Sequence, residues 1–179
     1  MVEIREEIAP FLTNPKWEVF SSDEVRIELE AETKRAWLKK GKKTILKVNR
    51  KRESQSYIGF LNQKKFDCSL YRMDWQNQEE VIKALKQFLK KHPKKKICII
   101  WDNAAFHKGK IIRESLKKGN SLERIHLIPM PPYAPDENPI EKVWKSGKKK
   151  IANIQKNTFD ETRKAFESHV RGRKFKYAM

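Results

Sequence analysis

"NQEEVIKALKQFLKKHPKKKICIIWDN", residues Asn77–Asn103, changes its apolar period once, and that change decides the fold. Val81, Leu85, Phe88 and Leu89 recur at helical spacing and make one stripe, as on a helix that buries a single side. Asn77 followed three residues later by Glu80 is a capping-box pattern, and the lysine-rich last turn before Pro93 suits a helix C-terminus. Ile97, Cys98, Ile99, Ile100 and Trp101 then run without interruption. A short continuous apolar run of this kind is a strand buried on both faces.

The same reading extends in both directions. Downstream, "KGKIIRESLKKGN" predicts a short helix closed near Gly119, "RIHLIPM" another buried strand, and the residues after Asn138 a further helix. Upstream, "KWEVFSSDEVRIELEAE" predicts two strand segments or one long bent strand around Ser21–Glu24. "AWLKKGKKTILKVNRKR" holds a glycine-centred turn and predicts a strand at Thr44–Val48. "SYIGFLNQKKFDCSLYRM" predicts a hairpin turning at Asn62–Lys65. Strands come first, then helix, strand, helix, strand and helix. That order predicts an α/β domain whose mixed sheet joins three antiparallel strands to parallel β/α units and is flanked by helices. With no internal repeat or flexible linker, residues 1–179 are expected to form one domain, with a core over about 16–153 and a basic helical tail over 154–179.

The chain has 179 residues, enough for a sizeable core. Its formal net charge is +18, with 36% charged and 38% apolar residues. Such an excess points to a polyanion partner, nucleic acid first and an anionic membrane surface second, with solubility or heat adaptation as the plain alternative. No apolar run approaches a membrane span, and "MVEIREEIAPF" is too acidic for a signal peptide. Cys68 and Cys98 lie far apart without a CxxC or Cys/His pattern, which argues against zinc and fits reduced thiols in the cytoplasm.

Three acids occupy positions that a cation could use. Asp102 follows Trp101 directly, at the carboxyl end of a buried strand, where functional groups of open α/β sheets gather. A plain turn or helix-capping aspartate reads equally well there. Glu141 follows "PPYAPDENP", four prolines in nine residues, which fix a path rather than build a core. Asn138 suits an N-cap, Pro139 the first helical position and Glu141 the third, so Glu141 either closes a capping box or reaches toward a cation. Asp23 lies on the opening strand. Asp136 and Glu137 read as loop-solvating residues, and Trp144 as a core residue in preference to a base-stacking one.

"IIWDNAAFHKG", "IHLIPM" and "PPYAPDENPIEKVW", in that order, resemble the catalytic core of DDE superfamily transposases and endonucleases, in particular the insertion-sequence group related to mariner elements. The resemblance covers roughly Lys16 to Asn153. It implies a ribonuclease-H-like fold, with Asp102 as the second catalytic acid and Glu141 as the third. "SSDEVRIELE" resembles the segment that carries the first, which gives Asp23, with Glu24 as the alternative; "RAWLKKGKK" supports that register. The proline path would then deliver Glu141 to the two aspartates. Three carboxylates are hard oxygen ligands that suit two Mg²⁺ or Mn²⁺ ions, and such a pair supports in-line displacement at phosphorus.

The activity so implied is metal-dependent DNA strand cleavage and strand transfer. The alternatives are a ribonuclease-H-type nuclease and a catalytically inactive nucleic-acid-binding derivative. The expected partners are transposon ends and target DNA, with no membrane and with a homodimer in the DNA complex. The expected location is the cytoplasm of a prokaryote, at the nucleoid when bound to DNA. Phosphate contacts are expected from Lys39, Lys40, Lys42, Lys43, Arg50, Lys51 and Arg52, in a stretch with eight basic residues and no acid. Lys145, Lys148, Lys149 and Lys150, just beyond Glu141, and His107 are further candidates. Relatives of this kind carry an N-terminal helix-turn-helix region; barely fifteen residues precede the first strand here, so that region is expected to be absent.

Overall fold

The computed structural model describes residues 2–102, 109–131 and 138–179. His107, Tyr133, Asp136 and Glu137 lie outside the described residues, as does most of the proline-rich stretch. The elements are α1 (Val2–Thr13), β1 (Trp17–Glu28), β2 (Ser54–Asn62), β3 (Cys68–Met73), α2 (Gln78–Lys91), β4 (Lys96–Trp101), α3 (Lys110–Ser115), β5 (Ile125–Pro129), α4 (Pro139–Ile151) and α5 (Phe159–Arg171). The described strands form one five-stranded sheet in the order β3-β2-β1-β4-β5. β1, β2 and β3 pair antiparallel, while β4 lies parallel to β1 and β5 parallel to β4.

Strand alternation sorts the core into two layers. Phe20, Ile58, Phe60, Ile97, Ile99 and Trp101 meet the buried stripe of α2, with Ile112 of α3. On the other face Val19, Cys98 and Ile100 pack under Ile4 and Ile8 of α1. Val25, Ile27 and Tyr57 on that face pack under Ile140, Val143 and Trp144 of α4 and Phe166 of α5. The continuous apolar run Ile97–Trp101 is thus buried on both sides, as its composition predicts. The C-terminal segment packs rather than trails: Phe159, Phe166, Val170 and Phe175 are buried. Gly147 lets α5 approach, since a Cβ there would lie 2.6 Å from the Phe166 ring.

One local expectation is corrected. Thr44–Val48 forms no strand; the stretch from Glu30 to Glu53 carries no regular ladder. Its ends are held instead by amide side chains of the α4–α5 connection. Asn153 bonds both N and O of Lys34, and Gln155 accepts from Ala31 and Asn49 while donating to Leu29 O. The alternation of Thr44–Val48 is thus taken up by neither edge strand, β3 or β5. Of the two readings of the opening stretch, the single long strand is the one formed, 12 residues from Trp17 to Glu28. Among the described residues no helix is long and apolar enough to cross a membrane, and both cysteines are buried and unpaired.

Candidate active site

Asp23 lies in the middle of β1, opposite Gly59 of β2. The parallel pairing of β1 with β4 ends at Ser21↔Ile100. Asp102 follows directly on β4 and lies near enough to Asp23 for its charge to act on the Asp23 carboxyl. Both share the parity of residues that face α1 and α4. Glu24 has the opposite parity: its partner is Ile58, a member of the α2-side core.

The third acid arrives on α4. Asn138, Glu141 and Trp144 are spaced by three and lie along one side of the helix. Asn138 Nδ2 donates to the Ser22 carbonyl at 3.2 Å, and Trp144 Nε1 donates to Asp23 Oδ2 at 3.0 Å. The residues on either side of Glu141 are therefore both tied to β1, and Glu141 faces the same strand. The capping box expected from "NPIE" is not formed: Asn138 makes no side-chain cap. Its amide is 3% exposed and serves the Ser22 carbonyl, just past the end of the β1–β4 ladder.

Like charge is concentrated here. Burial, then Glu141, Glu24 and Asp102, push the Asp23 carboxyl far above the ordinary range, to about 8. Asp23 thus has Glu141 and Asp102 in its field. Among the described residues, no three acid, histidine or cysteine side chains are gathered tightly enough to enclose an ion as they stand. The chemistry of the donor set nevertheless fits a hard divalent cation. Oxygen donors crowd a partly desolvated point; hydrogen bonds from Trp144 and the Glu24 backbone offset part of the cost, and protonation or positive charge would relieve the rest.

The basic candidates separate into two places. Lys145, Lys149 and Lys150 are exposed on α4, with Lys148 half-buried beside them. Lys39, Lys40, Lys42, Lys43, Arg50, Lys51 and Arg52 are all exposed on the irregular segment. Within it, Arg50 meets Glu30 at 3.9 Å and Lys51 meets Glu53 at 2.9 Å. The sequence reading missed the polar role of Trp144, taking it as core alone; its spacing of three from Glu141 was the available signal.

A family model described as DDE superfamily endonuclease matches residues 18–163. No curated protein matches the chain. Among solved structures, the Mos1 transposase paired-end complex with left transposon end is 15% identical, with a TM-score of 0.68 over 98% of this chain and 54% of that one. The Mos1 mariner paired-end complex with Mn is 17% identical, with a TM-score of 0.68 over 98% and 53%. The chain spans about half the length of these Mos1 chains. A simian T-cell lymphotropic virus intasome is 11% identical, with a TM-score of 0.52 over 84% and 47%. The fold is thus the ribonuclease-H-like sheet of transposase catalytic domains.

Proposed function

The chain belongs to the DDE superfamily of endonucleases, and from that premise we propose that it is a transposase catalytic domain that cleaves DNA and transfers the cut strand. The observation that carries the proposal is the crowding of Asp23 by Glu141 and Asp102 at the point where β4 ends. A protein that only binds a polyanion gains nothing from placing carboxylates there.

In this proposal Asp23, Asp102 and Glu141 hold two divalent cations, Mg²⁺ or Mn²⁺. Mos1 paired-end complexes solved with Mn and with Mg support that choice. When bound, the ions would polarise the scissile phosphate and assist the attacking and leaving oxygens. The chain's own residues do the rest. β1 and β4 set the two aspartates side by side, and α4 brings Glu141 to them through its ties at Ser22 and Asp23. Lys145, Lys148, Lys149 and Lys150 hold the DNA backbone on the α4 side of the sheet, and Lys39, Lys40, Lys42, Lys43, Arg50, Lys51 and Arg52 hold it farther out. Water attack leaves a 3′-hydroxyl. That hydroxyl then attacks a target phosphodiester at the same site, so no side-chain nucleophile is needed. Transposon ends and target DNA are the substrates, and two copies of the chain act together on them.

The test is nicking of supercoiled plasmid and cleavage of labelled duplex with Mg²⁺ or Mn²⁺, wild type against Asp102→Asn. The substitution is nearly isosteric and removes one ligand charge. Cleavage is expected to fall to background with the melting temperature retained. A folded Asp102→Asn protein that cleaves like wild type overturns the assignment, and cleavage confined to RNA–DNA hybrids would make the protein a ribonuclease-H-type nuclease.

A further inference from the structure

The indole of Trp144 is 3% exposed, and its donor finds a carboxylate where a backbone carbonyl would have sufficed. We infer that Trp144 is a positioning residue for Asp23: it ties Oδ2 and so sets how the carboxylate is presented to a divalent cation, and Gly59 is glycine so that the indole can lie there. The inference rests on the carboxylate site proposed above.

Gly59 stands opposite Asp23 in the β1–β2 register. A Cβ on Gly59 would lie 2.3 Å from Trp144 Cη2, 2.7 Å from Cζ2 and 3.1 Å from Ile140 Cδ1. Real side chains do not approach so closely, so any other residue here expels the ring. Glycine within a strand costs about 0.5–1 kcal/mol relative to alanine and often marks a close approach. Here the approaching group is the indole. On its other side the ring meets Phe166, with centroids 6.4 Å apart and planes at 29°. Held between strand backbone and α5, the ring has one orientation, and its N–H points at Asp23.

The consequence follows from the carboxylate's freedom. The terminal torsion of aspartate is broad, and the Glu24 backbone N–H, which also donates to this carboxylate, is a single tether that still lets the group turn. A buried donor removes that freedom, and as a hydrogen bond to a charged group it is stronger than a neutral one. It also favours the ionised carboxylate at a point crowded with negative charge. The same helix side carries Glu141 three residues earlier, so one seating of α4 sets the third acid and orients the first.

Manganese(II) alone is the first probe, titrated calorimetrically into wild type, Trp144→Phe and Asp23→Asn. Phenylalanine keeps an aromatic ring over Gly59 but has no donor. Trp144→Phe is expected to weaken Mn²⁺ binding about tenfold, the lower end for lost partners of metal ligands. The Mn²⁺ concentration for half-maximal cleavage should rise equally, with metal-free DNA binding unchanged. Asp23→Asn is expected to lose Mn²⁺ binding. If Trp144→Phe binds Mn²⁺ like wild type while Asp23→Asn does not, the inference falls and the carboxylate site stands. If Asp23→Asn binds like wild type, both fall. A measurement that needs no Trp144 variant is the ¹⁵N indole resonance of Trp144 in wild type and Asp23→Asn. It should move and exchange faster with water when the charged acceptor is lost; an unmoved resonance overturns the inference.

Discussion

Asp23 makes the metal-free protein less stable than it could be, because it holds a carboxylate in a partly desolvated place next to Glu141 and Asp102. Its folded pKa is raised from 3.8 to about 8. Between those values the folded state binds the proton that the unfolded state has released, so stability falls as pH rises across the window. Asp23→Asn should therefore melt higher than wild type without metal, by roughly 2–8 °C at pH 8 for about 1–2 kcal/mol, and by less at pH 5. Excess Mg²⁺ should raise the wild-type melting temperature and leave the variant's unchanged. Thermal denaturation at both pH values, with and without Mg²⁺, checks this. A wild type that melts above Asp23→Asn at pH 8 without metal would mean that the charge is already compensated. At this scale Asp102 and Glu141 were legible in the sequence, one by ending an apolar strand and the other by opening a helix. Trp144 was half legible: its burial followed from its type, but its hydrogen-bond partner is far away in the chain.

The elements are fastened to β1 at two places, by different chemistry. In the middle of the strand α4 docks through Asn138 and Trp144. At its start Glu18, 6% exposed, accepts from Lys65 of the β2–β3 turn at 2.6 Å and pairs with Nδ1 of His92, the α2 C-cap, at 2.5 Å. Burial works to raise the Glu18 pKa, but Lys65 and His92 outweigh it and hold the carboxyl below its ordinary value. The stabilisation is therefore present above the unfolded pKa of 4.5 and lost as pH falls through the folded value. Glu18→Gln should cost about 1–3 kcal/mol at pH 7, and the gap to wild type should close below pH 4. Urea denaturation at pH 7 and pH 3 measures both; a gap that persists at pH 3 would show that packing, not charge, is lost. The α2 period and the Ile97–Trp101 run were legible because each element carries its own pattern of burial. Thr44–Val48 misled because its alternation is real, yet a strand needs an edge to pair with. Asn138 stands at the N-cap as its type suggests, but its side chain serves the Ser22 carbonyl instead of the first helical turn.

Over the whole molecule a net charge of +18 predicts DNA binding dominated by phosphate contacts. The fold adds a direction, because α4 covers the face that carries Asp23 while α2 covers the other. Replacing Lys145, Lys149 and Lys150 together by alanine should flatten the slope of log K against log salt by up to about 2.7 units on duplex DNA, at ~0.9 per contact. The same exchange at Lys86, Lys90 and Lys94, exposed on and just beyond α2, should change the slope little. Binding of one duplex by the three proteins across a salt series decides it. Equal loss in both variants would mean that the charge acts as a cloud and that no face is preferred.

Local information in the chain was enough for the order and type of most elements, the α/β class and the candidates Asp102 and Glu141, while Asp23 was named through the family resemblance. Period, punctuation and strand-end position are properties of neighbouring residues. The DDE motif could be read for the same reason, since its last two acids sit in short distinctive contexts. Packing alone settled the rest. Asp23 lies in the field of Asp102 because β1 and β4 pair in one register, and a slip of one residue would have turned Asp23 to the α2 face. Trp144 reaches Asp23 because α4 lies across a strand that has glycine at one position. Register and docking are chosen by contacts between residues far apart in the chain, and the energy that selects them exists only once both partners are in place.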